Sequence, residues 1–212
     1  MIRSPFPDIE IPDMSFTDFV LARAGEHADK AALIDGPSGR TITYAELVDS
    51  VRGVAAGLAA RGFGKRDVFA HLSPNLPEYA VAFHGVASAG GVNTTANPLL
   101  TEDELARQLE DSGARMLVTV PELLEKATAA AERSGVEEIF VYGEAKGATP
   151  FSSLVGTAGE PPAVTIDPAE DLIALPYSSG TTGLPKGRDA HAPEPRCEHR
   201  SVHASPCHLQ DR

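Results

Sequence analysis

The sequence predicts an α/β protein with a mostly parallel sheet and flanking helices. Short apolar runs alternate with helical stripes of ten or more residues, the pattern left by parallel crossovers. The 212 residues are 42% hydrophobic and 23% charged, enough apolar material to bury a core. No apolar run approaches the roughly 20 residues that a membrane-crossing helix needs.

Each element follows in order. Ser15 is a plausible N-cap for a helix in "SFTDFVLARAGEHAD". "KAALID", the turn residues "GPSG" and "RTITY" read as two short extended pieces around a turn. From Tyr44 to Arg61 the positions Leu47, Val48, Val51, Val54, Ala55 and Leu58 fall on one helical stripe, ended by Gly62 and Gly64. "DVFAHL" is a buried strand, and "PNLPEYAVAFHGVASAG" a helix opened by proline and closed by glycine. "GVNTTANP" is a short extended piece, and Thr101 with Glu104 makes a capping box for the next helix. "ARMLVTV", "PELLEKATAAAERSG" and "EEIFVYG" then read strand, helix, strand. Residues 143–170, rich in Gly, Ala and Pro, look like a surface loop excursion, after which "DLIALPYSSG" returns as a strand.

The formal net charge of −12 argues against a broad basic face for nucleic acid and against an anionic membrane surface. The N-terminal "MIRSPFPDIEIPDMSF" is acidic and broken by proline, without the apolar stretch of a secretory signal, so the cytoplasm is the expected compartment. His71 and His84 sit in a strand and a helix of the apolar scaffold and read as core or surface histidines. The acidic residues form solvated helix faces, and no paired carboxylates stand out as a general acid and base.

The segment "YSSGTTGLPKG" at residues 177–187 is different in kind. Gly180 and Gly183 admit positive φ and close approach of a ligand to the main chain. Successive amides can form an anion nest, Ser178, Ser179, Thr181 and Thr182 add uncharged donors, Lys186 supplies a cation, and Pro185 stiffens the run. It is not a Walker A loop, since Pro185 stands at the second glycine position and Gly187 follows the lysine where Ser or Thr should ligate magnesium.

The segment resembles the phosphate-binding signature of the adenylate-forming (AMP-binding) superfamily, which comprises acyl-CoA synthetases, luciferases and peptide-synthetase adenylation domains. "TYAEL", "LSPNLPEYAVAFHGVASAGG", "NPLLTEDELARQLEDSGARMLVT" and "ALPYSSGTTGLPKG" extend the likeness from about Phe16 to Gly187, with coumarate–CoA ligases as a good match. The resemblance implies the N-terminal subdomain of such an enzyme over residues 1–187. It implies a nucleotide site at Ser178, Ser179, Gly180, Thr181, Thr182, Gly183 and Lys186, with ATP, magnesium and CoA as substrates or cofactors. The reaction it implies activates a small-molecule carboxylic acid, aryl or fatty, to an acyl-adenylate and then a CoA thioester.

The family's adenine-binding and magnesium-binding motifs and its catalytic lysine belong to later sequence that this chain lacks. The chain is therefore expected not to complete adenylation alone, to expose apolar faces and to aggregate, unless a complementing chain supplies the rest. A non-catalytic nucleotide-binding or partner-binding module, or an adenylation domain that loads a carrier protein, are the rival expectations. Residues 188–212 read as a non-family tail, disordered or frameshifted. Back-translated with freely chosen third bases and read one base later, residues 188–195 give V-M-L-T-H-R-N-L, which resembles the continuation of coumarate-ligase-like sequences. Within that tail Cys197, His199, His203, Cys207 and His208 lack the paired spacing of a zinc knuckle, so no metal site is expected.

Overall fold

In a computed structural model of the chain, which describes residues 12–157 and 159–177, local signals fix the ends of most elements. Helix α1, Phe16–Leu21, starts where the Ser15 hydroxyl accepts the Asp18 amide at 3.1 Å. It is only six residues long, and the expected continuation becomes a separate 3₁₀ turn at Ala24–His27. Strands β1, Ala31–Ile34, and β2, Thr41–Thr43, pair antiparallel across the "GPSG" turn. Thr43 then caps α2, Tyr44–Ala59, in a capping box with Glu46.

The main sheet follows. Strand β3, Val68–Leu72, is buried along its whole length. Helix α3, Pro77–Ser88, has proline in its first turn, where no amide partner is lost. After β4, Val92–Ala96, the expected Thr101–Glu104 capping box opens α4, Glu102–Ser112, which Gly113 ends at φ 65°. Strand β5, Ala114–Thr119, leads through a 3₁₀ turn into α5, Leu124–Ala131, and β6, Glu138–Val141, follows. Residues 149–176 add β7, Thr149–Pro150, α6, Ser152–Val155, and β8, Ala174–Pro176.

Six strands form one wholly parallel sheet in the order β7-β6-β5-β3-β4-β8. Winding reverses at β3: the chain crosses to β4 on one side, then passes back to β5 on the other. One face of the sheet carries Phe69, Met116, Val118 and Phe140 against α2, α3 and α6. The opposite face carries Val68, Ala70, Leu72 and Leu117 against α4 and α5. Parallel strands so covered must be apolar on both sides, which is why "DVFAHL" has no polar alternation.

The expected loop excursion over residues 143–170 is corrected in part. Phe151 and Leu154 are buried in the α2–α3 core, and α6 lies directly on α2. Two glycines of α2 make that approach close. A Cβ on Gly53 would overlap the Val155 carbonyl, and one on Gly57 would meet Thr157 Oγ1 at 2.8 Å. Nothing local in the Gly-Ala-Pro composition reveals such a contact. Gly53→Ala should destabilise the protein by about 1–3 kcal/mol despite alanine's better helix propensity, because backbone rather than a flexible side chain blocks the methyl. Urea unfolding checks it, and an unchanged midpoint would mean that α6 does not press on α2.

Candidate functional site

Parallel strands all end at one edge of the sheet, and open α/β sheets place ligands at that carboxyl edge. Here the edge is made by the residues that follow β3, β4, β5, β6 and β8. Strand β8 lies at the end of the sheet and pairs with β4 through Asn93–Ala174, Thr94–Leu175 and Thr95–Pro176. Because β8 runs with β4, Tyr177 leaves the sheet at the carboxyl edge.

Tyr177 is the first residue of the glycine-hydroxyl segment and the last described before it. The remaining expected site residues, Ser178, Ser179, Gly180, Thr181, Thr182, Gly183 and Lys186, lie outside the described residues, as do the whole 188–212 tail and its cysteines. What the structure supplies is the platform that delivers them. Tyr177 donates its hydroxyl to Asp111 Oδ2 of α4 at 2.5 Å, and burial followed by that carboxylate pushes its pKa upward. The phenol thus stays a neutral donor, and the segment's first residue is tied to a helix.

Strand β8 is held more firmly than three residues of parallel pairing would allow. Asn93 and Thr94 of β4 project to opposite faces of the sheet; Thr94 reaches a β8 carbonyl and Asn93 the carbonyl of the residue just before β8. Asn93 donates its backbone amide to Ile173 O at 2.9 Å and its side-chain Nδ2 to the same oxygen at 3.2 Å. Thr94 Oγ1 donates to Leu175 O at 3.0 Å. Behind Thr94, Gln108 of α4 donates to Thr95 O at 3.0 Å. Behind Asn93, His71 of β3 places Nε2 at 2.7 Å from Asn93 Oδ1. Before β8, Lys65 Nζ pairs with Asp171 at 2.6 Å and donates to Thr165 O at 2.9 Å. The loop after β4 is fixed by Lys126 of α5, which donates to Pro98 O and Leu100 O at 3.0 and 2.7 Å.

Of the two readings left open for His71, core or surface, the structure shows core, and its imidazole is bonded to Asn93. Asn93 Nδ2 faces two carbonyls, Phe83 O and Ile173 O, so Oδ1 must be the atom that meets His71. An acceptor there requires the proton on Nε2, which leaves Nδ1 bare, buried and without a partner. Burial lowers the His71 pKa from 6.5 to about 4, with the Asn93 bond a smaller opposing influence. His84, the other scaffold histidine, is half-buried and shares a hydrogen bond with Thr17 Oγ1 at 3.0 Å.

The clearest open cleft lies elsewhere. It encloses about 520 Å³ of solvent-open space between α1 and the residues preceding β4 and β8, lined by Phe16, Gly90, Gly91 and Ile173 among others. It is therefore at the amino edge, opposite the edge where Tyr177 leaves the sheet. Among the described residues no group of three or more His, Cys, Asp or Glu side chains is placed to hold a metal ion. No described helix is long and apolar enough to cross a membrane.

Comparison with known proteins gives the platform a context. Residues 20–188 match the family model described as AMP-binding enzyme. Rice (Oryza sativa subsp. japonica) 4-coumarate–CoA ligase 3 is 42% identical over 188 residues, covering 88% of this chain and 34% of the rice protein. The 4-coumarate–CoA ligase of Pinus taeda is 41% identical over 190 residues, with 88% and 35% covered. The chain thus spans about a third of the length of the curated relatives it matches. Among solved structures, a long-chain-fatty-acid–CoA ligase from Archaeoglobus fulgidus superposes with TM-score 0.77 at 27% identity, over 87% of this chain and 38% of that one. A benzoate–CoA ligase from Burkholderia xenovorans LB400 superposes with TM-score 0.69 at 26% identity, over 77% and 32%.

The buried histidine makes stability depend on pH. His71 is neutral in the fold down to about pH 4, whereas in the unfolded chain it takes up a proton near 6.5. The unfolded state therefore binds the extra proton between those values, and stability falls as pH drops through that window, by at most about 1.4 kcal/mol per unit. Tyr79, whose ring packs 4.8 Å from His71, is pushed upward by burial and stays neutral throughout. Urea midpoints at pH 7 and pH 4.5 should differ in the wild type and differ less in His71→Leu, where half-buried His84 and the paired carboxylates still titrate; equal slopes in both proteins would refute the assignment.

Proposed function

From the premise that this chain belongs to the AMP-binding enzyme family, we propose that it supplies the ATP-gripping part of an AMP-forming acid–thiol ligase. The single observation that carries the reading is the family match across residues 20–188, which runs through the glycine-hydroxyl segment that β8 leads into. In the intact reaction a carboxylate oxygen attacks the α-phosphorus of ATP and pyrophosphate leaves. The CoA thiol then attacks the acyl carbon and AMP leaves, giving the thioester.

The part of this chemistry assigned to the chain is positioning and charge neutralisation. The main-chain amides around Gly180 and Gly183 and the hydroxyls of Ser178, Ser179, Thr181 and Thr182 would donate to phosphate oxygens, and Lys186 would balance their charge. Held this way, the pyrophosphate is a stabilised leaving group and the α-phosphorus is presented for in-line attack. No acid or base from the described residues is required. Magnesium would accompany the triphosphate with ligands from outside the described residues. An aryl acid is the favoured substrate class, on the strength of the coumarate ligases at about 42% identity; fatty acids are the second, on the likeness to the long-chain ligase. We read residues 188–212 as lying outside the family sequence.

Calorimetric titration of the 212-residue chain with ATP tests the proposal. The chain should bind ATP, and Lys186→Ala should weaken binding about tenfold or more, the worth of a charge-assisted contact. Pyrophosphate exchange with coumarate or a fatty acid should stay at background. ATP binding that ignores Lys186→Ala would remove the phosphate-gripping role.

A further inference from the structure

The sequence motif explains what grips a nucleotide but not what holds the gripping segment in place. Strand β8 has three residues, one strand neighbour among those described, and parallel pairing, the weaker kind. A strand so short should fray. It and the residue just before it nevertheless receive side-chain donors from β4 on both faces of the sheet, from Asn93 at Ile173 O and from Thr94 at Leu175 O. The Asn93 arm is the more elaborate. Its amide also donates to Phe83 O of α3, and its oxygen is taken by His71 Nε2. Strand β3, helix α3 and the residue that leads into β8 therefore meet at one fully buried amide.

Space filling alone would not favour this. A leucine and a valine at positions 71 and 93 would fill comparable space without leaving a bare, unpartnered imidazole nitrogen in the core. Retaining the polar pair costs stability, and costs of that kind gather where geometry matters more than packing. The carbonyl that Asn93 holds is four residues before Tyr177, itself fixed to α4 by Asp111.

We propose that Asn93, oriented by His71, is a positioning residue that sets where β8 delivers the glycine-hydroxyl segment, and hence how well the segment's donors meet the nucleotide phosphates. This rests on the reading of residues 178–186 as the phosphate grip. His71 acts one step further back: by donating to Oδ1 it prevents the amide from turning over and presenting oxygen to the two carbonyls. It needs no contact with nucleotide.

Two readouts on the 212-residue chain test the idea: hydrogen exchange resolved by peptide, and calorimetric ATP affinity. In Asn93→Leu, exchange over residues 173–187 should quicken about tenfold or more while β3 and β5 keep their protection, and ATP affinity should fall at least about tenfold. His71→Leu should do the same to a lesser degree, and His71→Gln, which can still donate to Asn93 Oδ1, should restore both readouts. A role in packing alone would move global protection in every variant and would not be rescued by glutamine. Unchanged exchange at β8 in Asn93→Leu, or wild-type ATP affinity with β8 loosened, overturns the proposal. If Lys186→Ala leaves ATP affinity untouched, the phosphate-grip reading fails on its own, and the exchange readout then decides whether Asn93 and His71 hold β8. If Asn93→Leu loses protection throughout, the His71→Leu and His71→Gln pair decides instead.

Discussion

Strand β3 is the constraint on which the rest depends. All five of its side chains are buried, and a parallel neighbour sits on each side in defined register, Val68 opposite Val92 on one flank and opposite Ala114 on the other. A strand in that position cannot tolerate a one-residue slip, because every apolar side chain would change faces. With β3 fixed, β4 is fixed, and β4 is the strand beside which β8 is laid down among the described residues. The direction in which the chain leaves the sheet at Tyr177 is thus inherited, through two registers, from the most buried strand.

The polar residues within this frame occupy a narrow path. His71, Asn93, Thr94 and Gln108 are all buried, and each donates to or accepts from another of them or from the backbone beside β8. Elsewhere the sheet interior is mostly Phe, Leu, Val and Ala, with Met116 and Thr119 of β5 as exceptions, the latter donating to Leu72 O. The polar side chains of β3 and β4 thus bond to backbone at the strand that leads into the proposed phosphate grip. The charged groups play a humbler part. Arg115, for example, joins Asp67 at 2.6 Å and Glu137 at 2.8 Å, a partly exposed set that clips the amino ends of strands together.

Legibility in the sequence followed the range of the interaction. Capping at Ser15 and Thr101, the stripe on α2 and the apolar run of β3 are local, and the structure repeats them. The glycine-hydroxyl segment stood out because its residue types are unusual together. What stayed hidden depended on distant partners. Helix α6 is four ordinary residues whose burial rests on Gly53 and Gly57, about a hundred positions earlier. His71 was legible as a core or surface residue of the scaffold, but its link to Asn93 was not, since nothing in "VFAHL" or "VNTTA" says which strands become neighbours. The run of Asn and Thr in a strand otherwise bound for burial was the available clue: buried polar side chains need partners, and these found β8.

Position is the central issue, and amide chemical shifts of the full chain during a titration with magnesium-ATP address it most directly. The nucleotide should perturb residues 177–187, which follow β8 in the chain, with smaller effects at Asn93 and Ile173. Perturbations confined to Phe16, Gly90, Gly91 and Pro168, around the cleft at the opposite edge, would contradict it and place the ligand on the wrong end of the sheet.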